Sequence, residues 1–296
     1  MTDDFGAAPA WFRWALARPG ASRRVRVGEI ELHYLGWALE DRHKPALLFV
    51  HGHRAHAHWW DFIAPFFADT HRVFAMDLSG MGDSDRRAVY PRGVGASDIA
   101  GLVRALGLDP VTVVGHSNGG LRTLRACGEA PELFERVIAV DSYAVFQGGQ
   151  HPGEPANLRG DRVYPDLAAA LGRYRLLPEQ PLVEPWALTH VARHSVREVS
   201  GGWRWKFDPL MPSGLGQEDD GDELLAAVRC PVHYVYGSAS AIVSDALARR
   251  IVRQLARGHG PIAIPGGHHH LMFDQPVALI STLRALLATT DPKGMP

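Results

Sequence analysis

Short runs of consecutive apolar residues, many of them β-branched, alternate along the chain with stretches in which apolar residues recur every three or four positions. Continuous apolar runs are typical of strands buried on both faces, whereas the three- and four-residue spacing is typical of helices with one apolar face. Such runs, together with β-rich stretches that also hold charged residues at 24–27 and 30–34, predict strands at 24–27, 30–34, 46–50, 73–76, 111–114, 137–140, 232–236 and 261–264. The spacing predicts helices at 59–68, 96–105, 121–129, 243–256 and 276–287. This alternation favours an α/β fold with a mostly parallel eight-stranded sheet and helices on both faces.

The regular alternation stops between residues 142 and 222. This segment is rich in Pro, Gly, Arg and Trp and predicts short helices and loops, including a helical stretch at 186–194. Residues 201–209 alternate aromatic and basic side chains, a pattern that also occurs where proteins stack nucleic-acid bases. Because the chain has no net basic charge, a strand or loop with one aromatic face over a pocket is the better interpretation. We therefore predict a core formed by 1–141 and 223–296, with a cap inserted at 142–222.

A glycine-flanked serine follows the fifth predicted strand. Ser117 stands in the pattern G-x-S-x-G formed by residues 115–119. At the tip of a sharp strand-to-helix turn a serine exposes its hydroxyl, and glycines two residues before and after it keep Cβ atoms out of the bend. The pattern alone is also compatible with an ordinary glycine-rich turn. Other motifs in the chain decide between these interpretations.

Three further motifs follow other predicted strands. Residues 51–54 read His-Gly-His-Arg, 77–84 read Asp-Leu-Ser-Gly-Met-Gly-Asp-Ser, and 266–276 read Gly-Gly-His-His-His-Leu-Met-Phe-Asp-Gln-Pro. Together with the serine turn they resemble the α/β-hydrolase family over nearly the whole chain, with its H-G-x loop, its D-x-x-G-x-G-x-S turn and its G-H-x(4)-E-Q-P ending. The short H-G-x loop and the G-x-H-H sequence at 266–269 are most similar to the serine hydrolase-like group of that family.

The resemblance implies a catalytic triad with Ser117 as the nucleophile. A serine hydroxyl is a poor nucleophile near neutral pH, so a histidine must accept its proton while a carboxylate orients that histidine. The spacing to Asp274 favours His269 as the base, although His268 and His270 leave the assignment open by one position. These two neighbours are interpreted as loop or pocket-lining residues rather than metal ligands, because no cysteine and only one carboxylate stand nearby.

The acid of the triad departs from the family's commonest pattern. Many members carry it in a G-x-x-D turn after the seventh strand, but here residues 237–240 read Gly-Ser-Ala-Ser, and Ser240 cannot hold a negative charge. Asp141 ends the sixth predicted strand, matches the position that other members use, and is the predicted acid. Asp245 and Asp222 lie near the seventh strand and are the alternatives, in which case Asp141 only caps a turn or begins the cap.

Negative charge develops on the carbonyl oxygen when a serine attacks, and fixed backbone N–H groups around that oxygen stabilise it. The resemblance implies that the backbone amides of His53 and Asn118 form this oxyanion hole. It implies a reaction that requires no organic cofactor and no metal ion.

Composition narrows the class of partner. The 296 residues include 31 basic and 32 acidic side chains, and the net charge of -1 gives no field that would attract nucleic acid or an anionic membrane. The two cysteines, Cys127 and Cys230, argue against a disulfide framework. The N-terminus lacks the basic start and apolar core of a signal peptide, and no apolar run is long enough to span a membrane. We therefore expect a cytoplasmic protein that acts on a small molecule.

These observations predict a serine hydrolase that cleaves a carboxylic ester or lactone of a small, largely apolar substrate through an acyl-enzyme. Other activities of the family stay open: carbon–carbon bond hydrolysis in aromatic degradation, cofactor-free haloperoxidase or acyltransferase chemistry, and ligand binding without turnover. Family members that use an aspartate nucleophile, such as epoxide hydrolases and haloalkane dehalogenases, are disfavoured by Ser117. The oligomeric state and the identity of the acyl and alcohol groups are open at this stage.

Overall fold

Strands and helices alternate through the part of the chain that the computed structural model describes, residues 8–146, 162–181, 183–211 and 220–289. The strands are β1 (Ala21–Val27), β2 (Ile30–Trp37), β3 (Ala46–Val50), β4 (Arg72–Met76), β5 (Val111–His116), β6 (Phe134–Val140), β7 (Val196–Val199), β8 (Gly202–Trp205), β9 (Val232–Gly237) and β10 (Gly258–Ile264). The helices are α1 (Ala10–Leu16), α2 (Val94–Leu106), α3 (Asn118–Glu129), α4 (Leu167–Leu171), α5 (Pro185–His194), α6 (Gly221–Ala227), α7 (Asp245–Gln254), α8 (Leu271–Asp274) and α9 (Pro276–Ala288).

Eight of these strands form one sheet in the order β1-β2-β4-β3-β5-β6-β9-β10. β2 runs antiparallel to both β1 and β4, and the remaining neighbours pair in parallel. The predicted mostly parallel, eight-stranded sheet is therefore confirmed. The antiparallel pair stands at one edge, where β1 is largely exposed to solvent on its first four residues.

The central strands are buried on both faces, and successive residues belong to opposite layers of the core. On β3, Leu48 and Val50 pack with helices α2 and α3, whereas Leu47 and Phe49 pack with α9 on the other face. A side chain on a strand points to the face opposite its neighbour's, so a run of consecutive apolar residues is what two covered faces require. Burial of each such side chain stabilises the fold by about 1.5–3 kcal/mol.

The parallel register aligns the carboxyl ends of four central strands. Val50 at the end of β3 pairs with Gly115 of β5, His116 pairs with Val140 at the end of β6, and Val140 pairs with Val235 of β9. The loops that follow these strands therefore leave the sheet at one edge, which is where open α/β sheets bind their ligands. Every motif singled out in the sequence after β3, β5, β6 and β9 reaches this edge.

The prediction of a helix at 59–68 is wrong. Two short 3-10 helices, Ala57–Trp60 and Ala64–Phe67, stand in its place. Pro65 has no N–H to donate, and in a continuous α-helix its ring would clash with the carbonyl four residues earlier. The four other predicted helices are present, with ends that differ by up to three residues.

The described part of the segment between β6 and α6 contains helices α4 and α5 and the two-stranded sheet β7–β8. The aromatic residues of its alternating sequence build a small core of their own, in which Trp205 packs with Tyr164 and Val196. Helix α5 contacts the main body through Trp186, whose ring centroid lies 4.2 Å from that of Phe12 in α1.

The helices of the described residues are short or amphipathic. Among them, none has both the length and the apolar character that crossing a lipid bilayer requires.

Candidate active site

Ser117 lies between the end of β5 and the start of α3, in a backbone conformation that non-glycine residues rarely adopt. Its φ of 54° and ψ of −126° carry a strain of about 1–3 kcal/mol, which the surrounding structure must hold in place. The flanking glycines allow this bend, because a Cβ at Gly115 would lie 2.6 Å from Gly120 Cα, and one at Gly119 would lie 2.7 Å from the Val50 carbonyl oxygen. The predicted serine turn is thus a sharp strand-to-helix bend that presents the Ser117 side chain.

The His269 ring bridges Ser117 and Asp141. Its Nε2 lies 2.9 Å from Ser117 Oγ, and its Nδ1 lies 2.7 Å from Asp141 Oδ1. Because an ionised carboxylate only accepts hydrogen bonds, Nδ1–H donates to Asp141 and Nε2 accepts from the serine hydroxyl. The three residues are buried, with relative exposures of 8%, 3% and 0% for Ser117, His269 and Asp141. This arrangement has the connectivity of a serine–histidine–aspartate relay.

Asp141 is held by contacts from the neighbouring strand as well as by the histidine. Its Oδ2 accepts from the backbone N–H of Gly237 at 2.8 Å, and its Oδ1 also accepts from the hydroxyl of Ser240 at 2.7 Å. Asp141 itself has a φ of 43°, so its backbone bends at the end of β6 in the direction of β9. Ser240, which stands where the sequence comparison expected an acid, therefore hydrogen-bonds the Asp141 carboxylate.

The two alternative acids are engaged away from His269. Asp245 accepts from Tyr236 Oη at 2.7 Å and from Arg249 Nε at 2.8 Å. Asp222 accepts from the side-chain amide of Gln254 on the protein surface. Asp141 is the carboxylate that the fold brings to the histidine.

The histidine triplet separates into three environments. His268 Nδ1 lies 2.8 Å from Asp274 Oδ2, which also accepts from the His268 backbone N–H at 2.7 Å. The backbone N–H of His270 donates to Gln180 at 2.9 Å, and burial lowers the pKa of the His270 ring well below its ordinary value. His269 alone of the three contacts both Ser117 and Asp141 in the described residues.

His116, the second residue of the serine motif, hydrogen-bonds the backbone of His269. Its Nε2–H donates to the backbone carbonyl of His269 at 2.9 Å. Burial, and then the nearby charge of His269, lower the pKa of His116 to about 3, so its ring is neutral near pH 7. Sequence reasoning assigned no role to His116 or to Ser240. The position of His116 inside G-x-S-x-G was the available signal for the first, whereas the hydrogen bond of Ser240 had none.

The loop after β3 packs directly onto the serine turn. A Cβ at Gly52 would lie 3.3 Å from Ser117 Cβ, so the glycine permits the close approach. The His51 ring fixes this loop, since its Nδ1–H donates to the Gly52 carbonyl at 2.7 Å and its Nε2 accepts from the Leu78 N–H at 3.2 Å. His53 follows in the same loop, and burial, aided by the charge of Arg122, lowers the pKa of His53 to about 3.

Asn118 occupies the other side of Ser117 as the first residue of α3. Its side-chain amide donates to Tyr143 Oη at 3.2 Å. The two residues expected to form an oxyanion hole thus belong to the two segments that flank the serine, the loop after β3 and the N-terminus of α3.

A second serine–histidine pair lies nearby but has a different hydrogen-bond pattern. His56 Nε2 lies 2.8 Å from Ser195 Oγ, and the single hydroxyl proton of Ser195 is donated to the Val191 carbonyl at 2.8 Å. Ser195 therefore accepts from His56, and His56 Nδ1 is buried without a hydrogen-bond partner among the described residues. In the described part of the chain no carboxylate hydrogen-bonds His56, and the pair joins the C-terminal end of α5 to the loop after β3.

Comparisons with known proteins assign the chain to a family. The model of the alpha/beta hydrolase family matches residues 47–282. Esterase Rv0045c of Mycobacterium tuberculosis is 29% identical over 278 residues, 90% of this chain and 89% of its own length. The 2-(acetamidomethylene)succinate hydrolase of Mesorhizobium japonicum is 29% identical over 262 residues, 84% of this chain and 89% of its own.

The fold comparison agrees with the sequence comparison. The crystal structure of E-2-(acetamidomethylene)succinate hydrolase superposes with a TM-score of 0.74 at 24% identity, covering 91% of this chain and all of that one. The chain belongs to the alpha/beta hydrolase family.

Proposed function

We propose that this protein is a serine hydrolase that cleaves a carboxylic ester or lactone of a small, largely apolar substrate through an acyl-enzyme. The observation that carries the proposal is the His269 ring, which lies within hydrogen-bond distance of Ser117 Oγ on one side and Asp141 Oδ1 on the other. An ordered serine–base–acid relay inside a buried site is the arrangement that activates a hydroxyl for acyl transfer.

In the proposed mechanism, Ser117 Oγ attacks the substrate carbonyl while His269 Nε2 accepts the hydroxyl proton. Asp141 stabilises the imidazolium through the hydrogen bond from Nδ1. The backbone amides of His53 and Asn118 stabilise the oxyanion of the tetrahedral intermediate, each worth about 10²- to 10³-fold in rate. His269 then protonates the leaving alcohol, and a water molecule, deprotonated by the same ring, releases the acid.

We also propose that residues 142–222 form a cap over this site. The described part of that segment holds α4, α5 and β7–β8. Phe207, just after β8, lies with its ring centroid 5.0 Å from the guanidinium carbon of Arg54, the residue next to His53. An aromatic side chain of the cap therefore borders the loop of the proposed oxyanion hole, which favours substrates with apolar groups.

The relatives support hydrolysis but differ in their substrates. One is named an esterase and the other a hydrolase of 2-(acetamidomethylene)succinate. The substrate panel that tests the proposal therefore includes p-nitrophenyl esters of increasing acyl length, lactones and 2-(acetamidomethylene)succinate. Carbon–carbon hydrolase, perhydrolase and acyltransferase assays on the same protein are the competing outcomes.

Labelling with a fluorophosphonate probe tests the nucleophile directly. We expect the wild type to be labelled and to hydrolyse esters, and Ser117→Ala to lose both labelling and, by about 10⁴-fold or more, kcat. Ser195→Ala is the matched control, because it removes another buried serine that contacts a histidine and should leave labelling intact. Labelling that persists in Ser117→Ala would refute the mechanism, and a wild type that is neither labelled nor active would favour a binding protein.

A further inference from the structure

A group of three histidines and one aspartate lies where α5 meets the loop after β3. His58, Asp61, His190 and His194 each offer one nitrogen or oxygen atom, and these four atoms all lie within 4.8 Å of one another. We call this group the His₃Asp cluster. It shares no residue with the relay of Ser117.

Local geometry explains why each pair points to the same place. His190 and His194 are four residues apart on α5, so their side chains lie on one face of the helix. His58 belongs to the 3-10 helix Ala57–Trp60 and Asp61 is its C-terminal cap, and residues three apart in a 3-10 helix are eclipsed. Two elements that are far apart in sequence thus present two donors each to a common point.

Hydrogen bonds already draw the four side chains together. Asp61 Oδ2 accepts from His58 Nδ1 at 2.7 Å and from His190 Nε2 at 2.9 Å. The His194 ring stacks on that of His58, with centroids 3.9 Å apart, and lies 4.5 Å from that of His190. The carboxylate and all three imidazoles therefore meet around one small volume.

The tautomer of His194 is set in the way that is usual for metal ligands. Its Nδ1–H donates to the backbone carbonyl of His190 at 2.9 Å, which leaves the lone pair on Nε2. Histidines that bind metals nearly always donate their other ring N–H to a carbonyl or a carboxylate, because this fixes the ring and raises its basicity.

The cluster is shielded from solvent without being sealed. The side chains of His58, Asp61 and His190 are 18%, 11% and 7% exposed. The cluster is therefore largely enclosed by protein, and part of each of these side chains stays in contact with solvent.

We propose that the His₃Asp cluster binds one divalent first-row transition-metal ion, of which Zn²⁺ is the reference. Three imidazole nitrogens and one carboxylate oxygen are a common zinc donor set, whereas Mg²⁺ and Ca²⁺ prefer oxygen. Bonds of about 2.0–2.1 Å in a tetrahedron place donors about 3.3 Å apart. Binding therefore needs only that the close Asp61 pairs open by a few tenths of an ångström and that the widest pairs close.

The ion would take the place of the two N–H groups that now join Asp61 to His58 and His190, and each neutral ring would then carry its proton on the nitrogen that faces away from the ion. Its effect would be to cross-link α5 to the loop between β3 and β4, so it is a structural site rather than a catalytic one. The proposal does not rest on the proposed hydrolase activity.

Cobalt titration of the tag-free, chelator-dialysed protein tests the site, because tetrahedral Co²⁺ has intense visible absorption. We expect one equivalent of Co²⁺ to bind, Zn²⁺ to displace it, and Mg²⁺ or Ca²⁺ at the same concentration not to do so. His194→Ala should weaken binding by at least about tenfold and should abolish the Zn²⁺-dependent rise in Tm. His43→Ala, at an exposed histidine, is the matched control and should bind as the wild type does.

A second variant separates this site from the catalytic histidines, since His116, His269 and His270 also offer donors within 4.8 Å of one another. His269→Ala should retain the cobalt spectrum. Loss of binding in His269→Ala but not in His194→Ala, absence of stoichiometric uptake, or equal displacement by Mg²⁺ would each overturn the proposal. Should His194→Ala fail to fold by circular dichroism, His58→Gln provides the same comparison.

Discussion

Replacement of Asp141 by asparagine tests the acid sharply, because three hydrogen bonds fix how the new amide can lie. One carboxylate oxygen accepts from the Gly237 N–H at 2.8 Å, and the other accepts from His269 and Ser240 at 2.7 Å each. An amide NH₂ group facing the Gly237 N–H would set two donors against each other and leave a buried group unsatisfied, at a cost of about 1–3 kcal/mol. The asparagine oxygen is therefore expected to face Gly237, and its NH₂ group to face His269.

An amide N–H that faces His269 Nδ1 stabilises the tautomer with its proton on Nε2, which cannot accept the proton of Ser117. We expect kcat to fall by about 10⁴-fold, which corresponds to about 5.4 kcal/mol of lost transition-state stabilisation. Initial rates of p-nitrophenyl ester hydrolysis measure this, with circular dichroism and thermal melting to verify folding.

Variants at Ser240 provide a comparison for the loss of kcat in Asp141→Asn. Ser240→Ala removes one of the hydrogen bonds to the same oxygen, so it should lower kcat by about two- to tenfold, the equivalent of about 0.5–1.5 kcal/mol. Ser240→Asp in the Asp141→Asn background should restore part of the rate. A kcat within about tenfold of the wild type in Asp141→Asn alone would refute the assignment of the acid.

Three other predictions follow from the same geometry. His269→Ala should lower kcat by about 10⁴-fold and His268→Ala by less than about tenfold, and equal losses in steady-state kinetics would contradict the choice of base. Burial lowers the pKa of His53 and His116 to about 3, so the unfolded chain alone takes up protons as the pH falls through about 6.5. The unfolding free energy should therefore decrease by about 1.5 kcal/mol per histidine between about pH 6.5 and about pH 5, and urea titrations that show constant stability would refute this. Gly119→Ala places a Cβ against backbone carbonyl oxygens of the loop after β3, so calorimetry should show Tm lowered by about 2–10 °C, and an unchanged Tm would contradict the close packing.

The sequence predicted the sheet well because its signal is local and strong. Central strands such as those at 46–50, 73–76 and 137–140 are continuous apolar runs, and a strand buried on both faces tolerates little else. The helix expected at 59–68 failed because apolar spacing was weighted above Pro65, whose missing N–H divides the segment into two turns.

In the candidate site, too, the sequence predicts what depends on local spacing better than what depends on long-range contacts. Ser117 was identifiable because glycines on both sides leave a characteristic spacing. Which of three adjacent histidines faces it depends on loop conformation, and which carboxylate supports the histidine depends on contacts between β6 and β9 that are about 100 residues apart in sequence. Such long-range contacts leave no periodic pattern, and neither does the contact between Asp61 and His190 of α5.

The contact between Ser240 and Asp141 also bears on how this kind of site changes during evolution. Asp141 follows β6 and Ser240 follows β9, and these neighbouring strands bring the two side chains to within 2.7 Å. A descendant that gained a carboxylate at position 240 while it kept Asp141 would hold two acids side by side, and the charge of one would raise the pKa of the other. Loss of either carboxylate would then leave the histidine supported. On the proposed mechanism, the acid can thus move from one strand to its neighbour by two single substitutions, with a carboxylate beside the histidine at every step.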